Sequence, residues 1–153
     1  MGSEKLRINW VLRNELAVGP APRTEGDLNV IKTFGIKNII SLCNKEESQT
    51  IAVNSKVFNY FSYPLPDHKI NSAPSLHQIN EVLDKVKEFK TFGSTYVHCL
   101  AGVERSPLIC MAWLIRECSL DLETSLQYLM KVNPSTCPLQ YQLNVLKDIK
   151  NAK

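Results

Sequence analysis

A histidine, a cysteine and an arginine lie close together in segment 98–106, which reads His-Cys-Leu-Ala-Gly-Val-Glu-Arg-Ser. One apolar run leads into this segment and ends at Cys99, and a second apolar run begins after Ser106. A cysteine at the amino end of a helix is expected to be a thiolate near neutral pH, since the local N–H groups and helix dipole lower its pKa. The planar guanidinium of Arg105 can hold two phosphate oxygens, and Gly102 lets the backbone curl around an anion. The segment therefore predicts a nucleophile, Cys99, at the floor of an anion-binding loop.

The rest of the chain alternates between strand and helix patterns, which indicates how this loop is positioned. Period-two and continuous apolar runs predict strands at residues 7–12, 16–18, 38–43, 58–65 and 95–99. Amphipathic spacing and capping residues predict helices at residues 25–34, 45–54, 76–89, 108–118, 121–132 and 138–150. This order is typical of a single α/β domain over residues 1–153, with a central, mostly parallel β-sheet flanked by helices. We expect the loop to lie between a central strand and a helix, at the sheet edge where ligands bind.

Composition excludes several other classes of protein. The chain has 153 residues, 44% of them hydrophobic and 22% charged, so it is not a disordered or low-complexity sequence. Its net charge is +3, without a block of basic residues, and it lacks an apolar run long enough to span a membrane. The polar start lacks a signal-peptide core, so we expect a cytoplasmic chain that binds neither nucleic acid nor membrane. Five cysteines, an odd number at irregular spacing, favour reduced thiols over disulfides or a zinc site.

The His-Cys-x5-Arg-Ser pattern resembles the signature of the cysteine-dependent protein tyrosine phosphatase superfamily. With Gly102 inside it and a chain this short, the sequence is most similar to the small, atypical dual-specificity branch. Members of the family carry a general-acid aspartate on a loop that follows the preceding long strand. Asp67 occupies such a position, 32 residues before Cys99. The order of aspartate first and cysteine second also distinguishes this sequence from the low-molecular-weight tyrosine phosphatases.

The resemblance implies a role for each of these residues. Cys99 would attack phosphorus, Asp67 would protonate the leaving oxygen, and water would then hydrolyse a phospho-cysteine. The phosphate oxygens would be held by the loop, comprising Leu100, Ala101, Gly102, Val103, Glu104 and Arg105. No metal or other cofactor is required by this chemistry. We expect phosphate, sulfate or vanadate to bind the same loop.

Several of these residues have a second interpretation. The alternative for Cys99 is a buried structural thiol, and for Asp67 a residue that only solvates a turn, but the context of both favours chemistry. His98 either orients the loop and supports a low thiol pKa, or is an ordinary strand histidine. Ser106 is expected to cap the following helix, and its hydroxyl can also hydrogen-bond Cys99 and help the thiolate leave. The two roles of Ser106 are compatible.

Cys43 ends the predicted strand 38–43, which we expect beside the strand that ends at Cys99. Both sulfurs would then lie at the same edge of a parallel sheet. A low-pKa thiolate is readily oxidised, and a neighbouring thiol can trap the sulfenic acid as a disulfide. Cys43 is therefore either a redox partner of Cys99 or a small buried hydrophobic residue.

The expected substrates are phosphorylated proteins, at phosphotyrosine and also at phosphoserine or phosphothreonine. The four variable loop positions carry Leu100, Ala101, Val103 and Glu104, whereas a loop for polyanionic inositol phosphates favours Lys or Arg there. Two alternatives stay open. One is a phosphatase of a non-protein phosphate, such as a lipid, an RNA 5′ end or a sugar. The other is a phosphoprotein-binding module without turnover, which the set of Cys99, Arg105 and Asp67 argues against.

Overall fold

Five strands and five helices are present among the residues that the computed structural model describes, 5–47, 51–66 and 72–150. The strands are β1 (Asn9–Leu12), β2 (Leu16–Gly19), β3 (Asn38–Ser41), β4 (Asn59–Ser62) and β5 (Thr95–His98). The helices are α1 (Glu25–Thr33), α2 (Leu76–Phe89), α3 (Arg105–Cys118), α4 (Leu122–Val132) and α5 (Gln140–Leu146). None of these helices is both long enough and apolar enough to cross a membrane.

The strands form one sheet in the order β1-β2-β5-β3-β4. β1 and β2 form an antiparallel hairpin, and every other pair of neighbours is parallel. Gly19 pairs with His98, His98 with Ser41, and Ser41 with Ser62, so the carboxyl ends of four strands meet at one edge. The predicted α/β fold with a mostly parallel central sheet is confirmed, and β5 is the central strand. The loops that follow these four strands are therefore brought together.

Alternation along the strands gives the sheet two apolar faces. Ile39 and Tyr96 pack with the buried residues of α1, whereas their neighbours Ile40 and Val97 pack in a second cluster with residues of α2, α3, α4 and α5. Both clusters are built from buried residues. The central strand is thus covered on both faces, which explains its continuous apolar run.

Side-chain caps fix where α1 and α2 begin. Thr24 accepts from the Asp27 N–H at 3.0 Å, and the Asp27 carboxylate accepts from the Thr24 N–H at 3.2 Å. Ser75 and Gln78 make the same reciprocal pair at the start of α2. These capping boxes satisfy N–H groups that have no partner inside the helix, so both predicted starts are confirmed.

The helix predicted at residues 45–54 is wrong over the part of it that the structure describes. Residues 45–47 form a turn and residues 51–54 are irregular. The Asn44 side chain accepts from the Glu47 N–H at 2.9 Å, and the Glu47 carboxylate accepts from the Asn44 N–H at 3.0 Å. These local hydrogen bonds stabilise a turn in place of a helix.

The start of α3 also differs from the prediction. The helix begins at Arg105 rather than at residue 108, and its N-cap is Glu104, which makes no side-chain cap hydrogen bond. The expectation that Ser106 caps this helix is therefore wrong, since Ser106 lies inside the first turn. Its hydroxyl is directed instead to Cys99, 3.3 Å from the sulfur.

Candidate active site

Cys99 follows the last residue of the central strand β5, and the loop 99–104 leads from it into α3. Its side chain is 2% exposed. The sulfur accepts a hydrogen bond from the Gly102 N–H at 3.3 Å and lies 3.3 Å from the Ser106 hydroxyl. Both groups can donate to the sulfur, so the loop surrounds it with hydrogen-bond donors.

Gly102 makes the curl of the loop possible. Its φ is +73°, a conformation that side-chain-bearing residues rarely adopt. A Cβ atom at this position would lie 2.7 Å from the Gly19 carbonyl carbon and 2.9 Å from the Pro20 nitrogen. The backbone of the loop therefore packs directly against the chain that leaves β2.

Hydrogen bonds from two neighbouring segments hold the carbonyls of the loop. The Ala21 N–H donates to the Leu100 carbonyl at 3.0 Å, and the Cys137 N–H donates to the Val103 carbonyl at 2.8 Å. By contrast, in the described part of the chain no group is bonded to the N–H of Leu100, Ala101 or Val103. These amide N–H groups can therefore donate hydrogen bonds to an anion, as they do at other helix amino ends that bind phosphate.

Arg105 forms a buried, bidentate ion pair with Glu47. Nη1 donates to Oε1 at 2.9 Å and Nη2 donates to Oε2 at 2.8 Å. The side chains of Arg105 and Glu47 are 5% and 9% exposed. Nη1 also donates to the Leu42 carbonyl at 3.2 Å. Burial lowers the pKa of Arg105, but the hydrogen bond to Glu47 and the nearby charges of Cys99, Glu47 and Cys43 together outweigh burial, so the pKa is raised. The guanidinium is therefore a fixed cation.

This pairing does not use all the donors of Arg105. A guanidinium has five N–H groups. Among the described residues, Glu47 and two backbone carbonyls are bonded to Nη1 and Nη2 only, and the Nε–H is not engaged. The Nε–H and the second Nη2–H lie along one edge of the group. That edge can hold two oxygens of a phosphate while Glu47 holds the other edge.

His98 lies under the loop and is 5% exposed. Its Nδ1 is 3.1 Å from the Cys99 carbonyl, which can only accept, so this contact assigns the ring proton to Nδ1. Burial lowers the pKa of His98 to about 4. The ring is thus neutral at physiological pH. It orients the loop by a hydrogen bond and adds no positive charge beside the thiol.

Cys43 lies at the same sheet edge as Cys99, since β3 and β5 are parallel neighbours and the Leu42 N–H donates to the His98 carbonyl at 2.9 Å. The Cys43 sulfur is 3.8 Å from His98 Nδ1. Both thiols are free. Burial raises the pKa of Cys43 to about 11, so it is a neutral thiol near pH 7.

Asp67 lies outside the described residues. The chain that leads to it is described up to Pro66. Leu65 is 2% exposed, its N–H donates to the Leu42 carbonyl at 3.1 Å, and its own carbonyl is 3.5 Å from Arg105 Nη1. The segment that precedes Asp67 therefore lies next to the guanidinium of Arg105.

Glu47 is the residue that the sequence analysis missed. The structure brings it together with Cys99, Ser106, His98 and Arg105, all of which were candidates. Its signal in the sequence is an acidic residue just after a predicted buried strand, at the edge where the loop was expected. The erroneous helix over residues 45–54 hid that signal, because it made Glu46 and Glu47 look like two surface residues.

Comparison with known proteins identifies a family whose sequences match this chain. Residues 18–152 match the family described as dual specificity phosphatase, catalytic domain. Among curated relatives, dual specificity protein phosphatase 1-B of Xenopus laevis is 36% identical over 73 residues, which are 46% of this chain and 19% of the relative. The chain thus spans about a fifth of that protein's length.

Solved structures agree with the fold. PTPMT1 in complex with PI(5)P superposes with a TM-score of 0.81 at 17% identity, covering 93% of each chain. The human tyrosine phosphatase-like serine/threonine/tyrosine-interacting protein gives a TM-score of 0.80 at 19% identity, covering 92% of this chain and 93% of that one. At such identities the likeness establishes the fold alone.

We predict that Glu47→Gln impairs the site without unfolding the protein. The amide keeps the size of the side chain but turns an N–H₂ group toward a guanidinium that only donates, so Arg105 must shift. A displacement of about 1 Å can lower a rate about 10²-fold, and we expect a loss of that order in kcat/KM on an aryl phosphate. Glu46→Gln, at the exposed neighbouring position, is the matched control and should stay close to wild type. Wild-type kcat/KM in a folded Glu47→Gln variant would contradict the positioning role.

Proposed function

The chain belongs to the dual specificity phosphatase family, and from this premise we propose that it hydrolyses phosphotyrosine, phosphoserine and phosphothreonine in proteins through a phospho-cysteine. The observation that carries the proposal is the Cys99 sulfur at the floor of a loop of amides, 3.3 Å from both the Gly102 nitrogen and the Ser106 oxygen. We propose residues 1–153 as one catalytic domain.

In the first step, the Cys99 thiolate attacks phosphorus and the bond between phosphorus and the ester oxygen breaks. The three remaining oxygens are held by the free edge of Arg105 and by the loop amides, which stabilise the charge that spreads over them. Asp67 gives its proton to the leaving oxygen, so the protein is released as a neutral hydroxyl. Leu65, whose carbonyl is 3.5 Å from Arg105, supports this position for the acid.

In the second step, water attacks the phosphorus of the phospho-cysteine. Asp67, now a carboxylate, takes a proton from the water, and the bond between phosphorus and sulfur breaks. The electron pair returns to Cys99 as a thiolate. The Ser106 hydroxyl, 3.3 Å from the sulfur, is placed to donate to that thiolate as it leaves. His98 holds the Cys99 carbonyl throughout.

A short connection beside the loop supports activity on more than one phosphoamino acid. Only residues 20–24 join β2 to α1 beside the loop, and residues 99–104 form the loop itself. We propose that a short wall on this side lets the shorter phosphoserine side chain reach the sulfur as well as phosphotyrosine.

A non-protein phosphate is the second candidate, because the fold is similar to that of PTPMT1 solved in complex with PI(5)P. Two features of this chain favour protein substrates. The variable loop positions Leu100, Ala101 and Val103 are uncharged, and Glu104 adds a carboxylate, which accepts from Gln142 Nε2 at 3.0 Å. A phosphate next to the scissile one would meet no cation at these variable positions of the loop.

A panel of substrates tests this proposal. We expect turnover of an aryl phosphate that a chelator does not reduce, and higher kcat/KM on phosphotyrosine and phosphothreonine peptides than on phosphoinositide vesicles. Cys99→Ser should be inactive on all of them. Higher kcat/KM on phosphoinositide vesicles than on every peptide would establish the second candidate. Turnover by a clean preparation of Cys99→Ser would contradict the mechanism.

Asp67→Asn tests the assignment of the general acid. We expect kcat on a phosphopeptide to fall about 10²–10⁴-fold, with a smaller loss on a substrate whose leaving group needs no proton. Asp84→Asn is the control, because Asp84 is exposed on α2 and contacts Arg116 rather than the loop. Equal losses on good and poor leaving groups would assign Asp67 a structural role.

We also propose that Cys43 is the redox partner of Cys99. Peroxide oxidises the Cys99 thiolate to a sulfenic acid; the Cys43 thiolate then attacks that sulfur and expels hydroxide, which leaves a disulfide. Because the pKa of Cys43 is about 11, only a small fraction is thiolate at pH 7. The trapping rate should therefore rise about tenfold for each pH unit from 7 to 9.

Mass spectrometry after mild peroxide measures this linkage. We expect a Cys43–Cys99 disulfide, and we expect dithiothreitol to restore less activity to Cys43→Ala than to wild type. Cys118→Ala is the control, because Cys118 lies at the far end of α3. Full recovery of Cys43→Ala, without a linkage in wild type, would leave Cys43 as a core residue only.

A further inference from the structure

One carbonyl of the loop 99–104 is held from outside by side chains rather than by backbone groups. The Leu100 and Val103 carbonyls accept from backbone N–H groups. The Gly102 carbonyl instead accepts from Asn133 Nδ2 at 3.3 Å and from the Ser135 hydroxyl at 3.4 Å. Both of these residues belong to the segment that follows α4. The proposed catalytic steps use neither of them.

The Asn133 side chain is fixed by its other contacts. α4 ends before Asn133, since Pro134 favours an extended conformation for the residue that precedes it, and Asn133 has φ −134° and ψ 82°. Asn133 is 2% exposed, and its Oδ1 accepts from Asn9 Nδ2 at 2.7 Å. Its Nδ2 donates to Thr136 Oγ1 at 2.9 Å as well as to the Gly102 carbonyl. The two N–H bonds of the amide are therefore both used, and the amide has one orientation.

The direction of the Gly102 carbonyl decides where the next amide points. The peptide between residues 102 and 103 is trans, so the C=O of Gly102 and the N–H of Val103 point in opposite directions. The carbonyl faces Asn133 outside the loop. The Val103 N–H therefore faces the other side, where none of the described residues is bonded to it.

The backbone at Gly102 does not fix this direction by itself. Gly102 has φ +73°, and a residue without a Cβ atom can adopt several values of ψ there. Rotation of the 102–103 peptide would turn a carbonyl oxygen, instead of an N–H, toward a bound phosphate. Because an oxygen dipole repels an anion, the loop needs an external donor that holds this carbonyl.

We propose that Asn133 is a positioning residue, which keeps the Val103 N–H directed at phosphate by holding the Gly102 carbonyl. Ser135 is a second and more distant donor to the same oxygen. The proposal rests on the proposed function, since it requires phosphate to bind the loop. Asn133 acts through one peptide group and contributes no atom to the reaction.

The surroundings of the Cys99 sulfur do not depend on this peptide group. The Gly102 N–H, 3.3 Å from the sulfur, belongs to the peptide between residues 101 and 102, and the Ser106 hydroxyl belongs to α3. Loss of the Asn133 donor should therefore weaken anion binding and leave the reactivity of the thiol unchanged. A general loosening of the loop would change both.

Asn133→Leu tests the proposal, because it keeps the approximate size of the side chain, adds no charge and removes the donor. We expect the Kd of inorganic phosphate to rise about tenfold and kcat/KM on an aryl phosphate to fall about 10²-fold, since one donor to the phosphate oxygens is lost. Alkylation of Cys99 by iodoacetamide at fixed pH should stay within about twofold of the wild-type rate. Ser135→Ala should raise the Kd of phosphate about threefold.

Asn38→Leu is the matched control for a buried asparagine. The Asn38 Nδ2 donates to the carbonyls of Phe89 and Gly93 at 2.9 and 3.0 Å, and Asn38 begins β3, at the sheet edge opposite to the loop. This variant should lose stability and keep the wild-type Kd of phosphate. Equal weakening of phosphate binding in Asn38→Leu and Asn133→Leu would overturn the proposal, since Asn133 would then act only through stability.

Two further results would also overturn the proposal. One is a wild-type Kd of phosphate in both Asn133→Leu and Ser135→Ala, and the other is a large change in Cys99 alkylation in Asn133→Leu. If Asn133→Leu does not fold, the Kd of Ser135→Ala alone decides. Wild-type protein that neither binds phosphate nor hydrolyses an aryl phosphate would instead overturn the proposed function.

Discussion

The buried ion pair between Arg105 and Glu47 connects the parts of the candidate site. Arg105 opens α3, Glu47 ends the turn that follows β3, and the same guanidinium contacts the carbonyls of Leu42 and Leu65 at 3.2 and 3.5 Å. A buried charge without a partner is costly, so each charge of the pair stabilises the other and helps to hold these segments together. The turn at Asn44 and Glu47 thereby sets the position of the Arg105 side chain, which is 58 residues from Glu47 in sequence.

The same pair decides how charge is arranged around the sulfur. Glu47 neutralises the formal charge of Arg105, and His98 is neutral because burial lowers its pKa to about 4. The Cys99 sulfur is therefore surrounded by oriented dipoles, from the Gly102 N–H, the Ser106 hydroxyl and the amino end of α3. Fixed dipoles need no reorganisation when phosphate charge develops in the transition state.

Local chemistry made much of this architecture predictable. Continuous apolar runs identified the central strands, and the Thr24 cap identified the start of α1, because each of these depends on nearby residues alone. The closeness of Cys99 and Arg105 in the structure could be predicted, because the short segment between them joins a strand to a helix. The family resemblance supplied Asp67, which lies outside the described residues.

The errors in the predicted elements share one physical cause. Contacts between residues distant in sequence, or hydrogen bonds from particular side chains, outweigh the local sequence pattern. Residues 45–47 form a turn rather than a helix since Glu47 is held by Asn44 and by Arg105. Ser106 does not cap α3, because its hydroxyl faces Cys99.

The central claim is that phosphate is transferred to the Cys99 sulfur, and its most direct test is to trap that intermediate. Wild-type protein mixed with a labelled phosphopeptide and quenched in acid within milliseconds should carry one phosphoryl group on the tryptic peptide 91–105, at Cys99. Cys99→Ser should carry none, and Asp67→Asn should accumulate more label on a substrate with a good leaving group, because hydrolysis then lacks its base. Turnover without label on this peptide, or label on any other residue, would contradict the account.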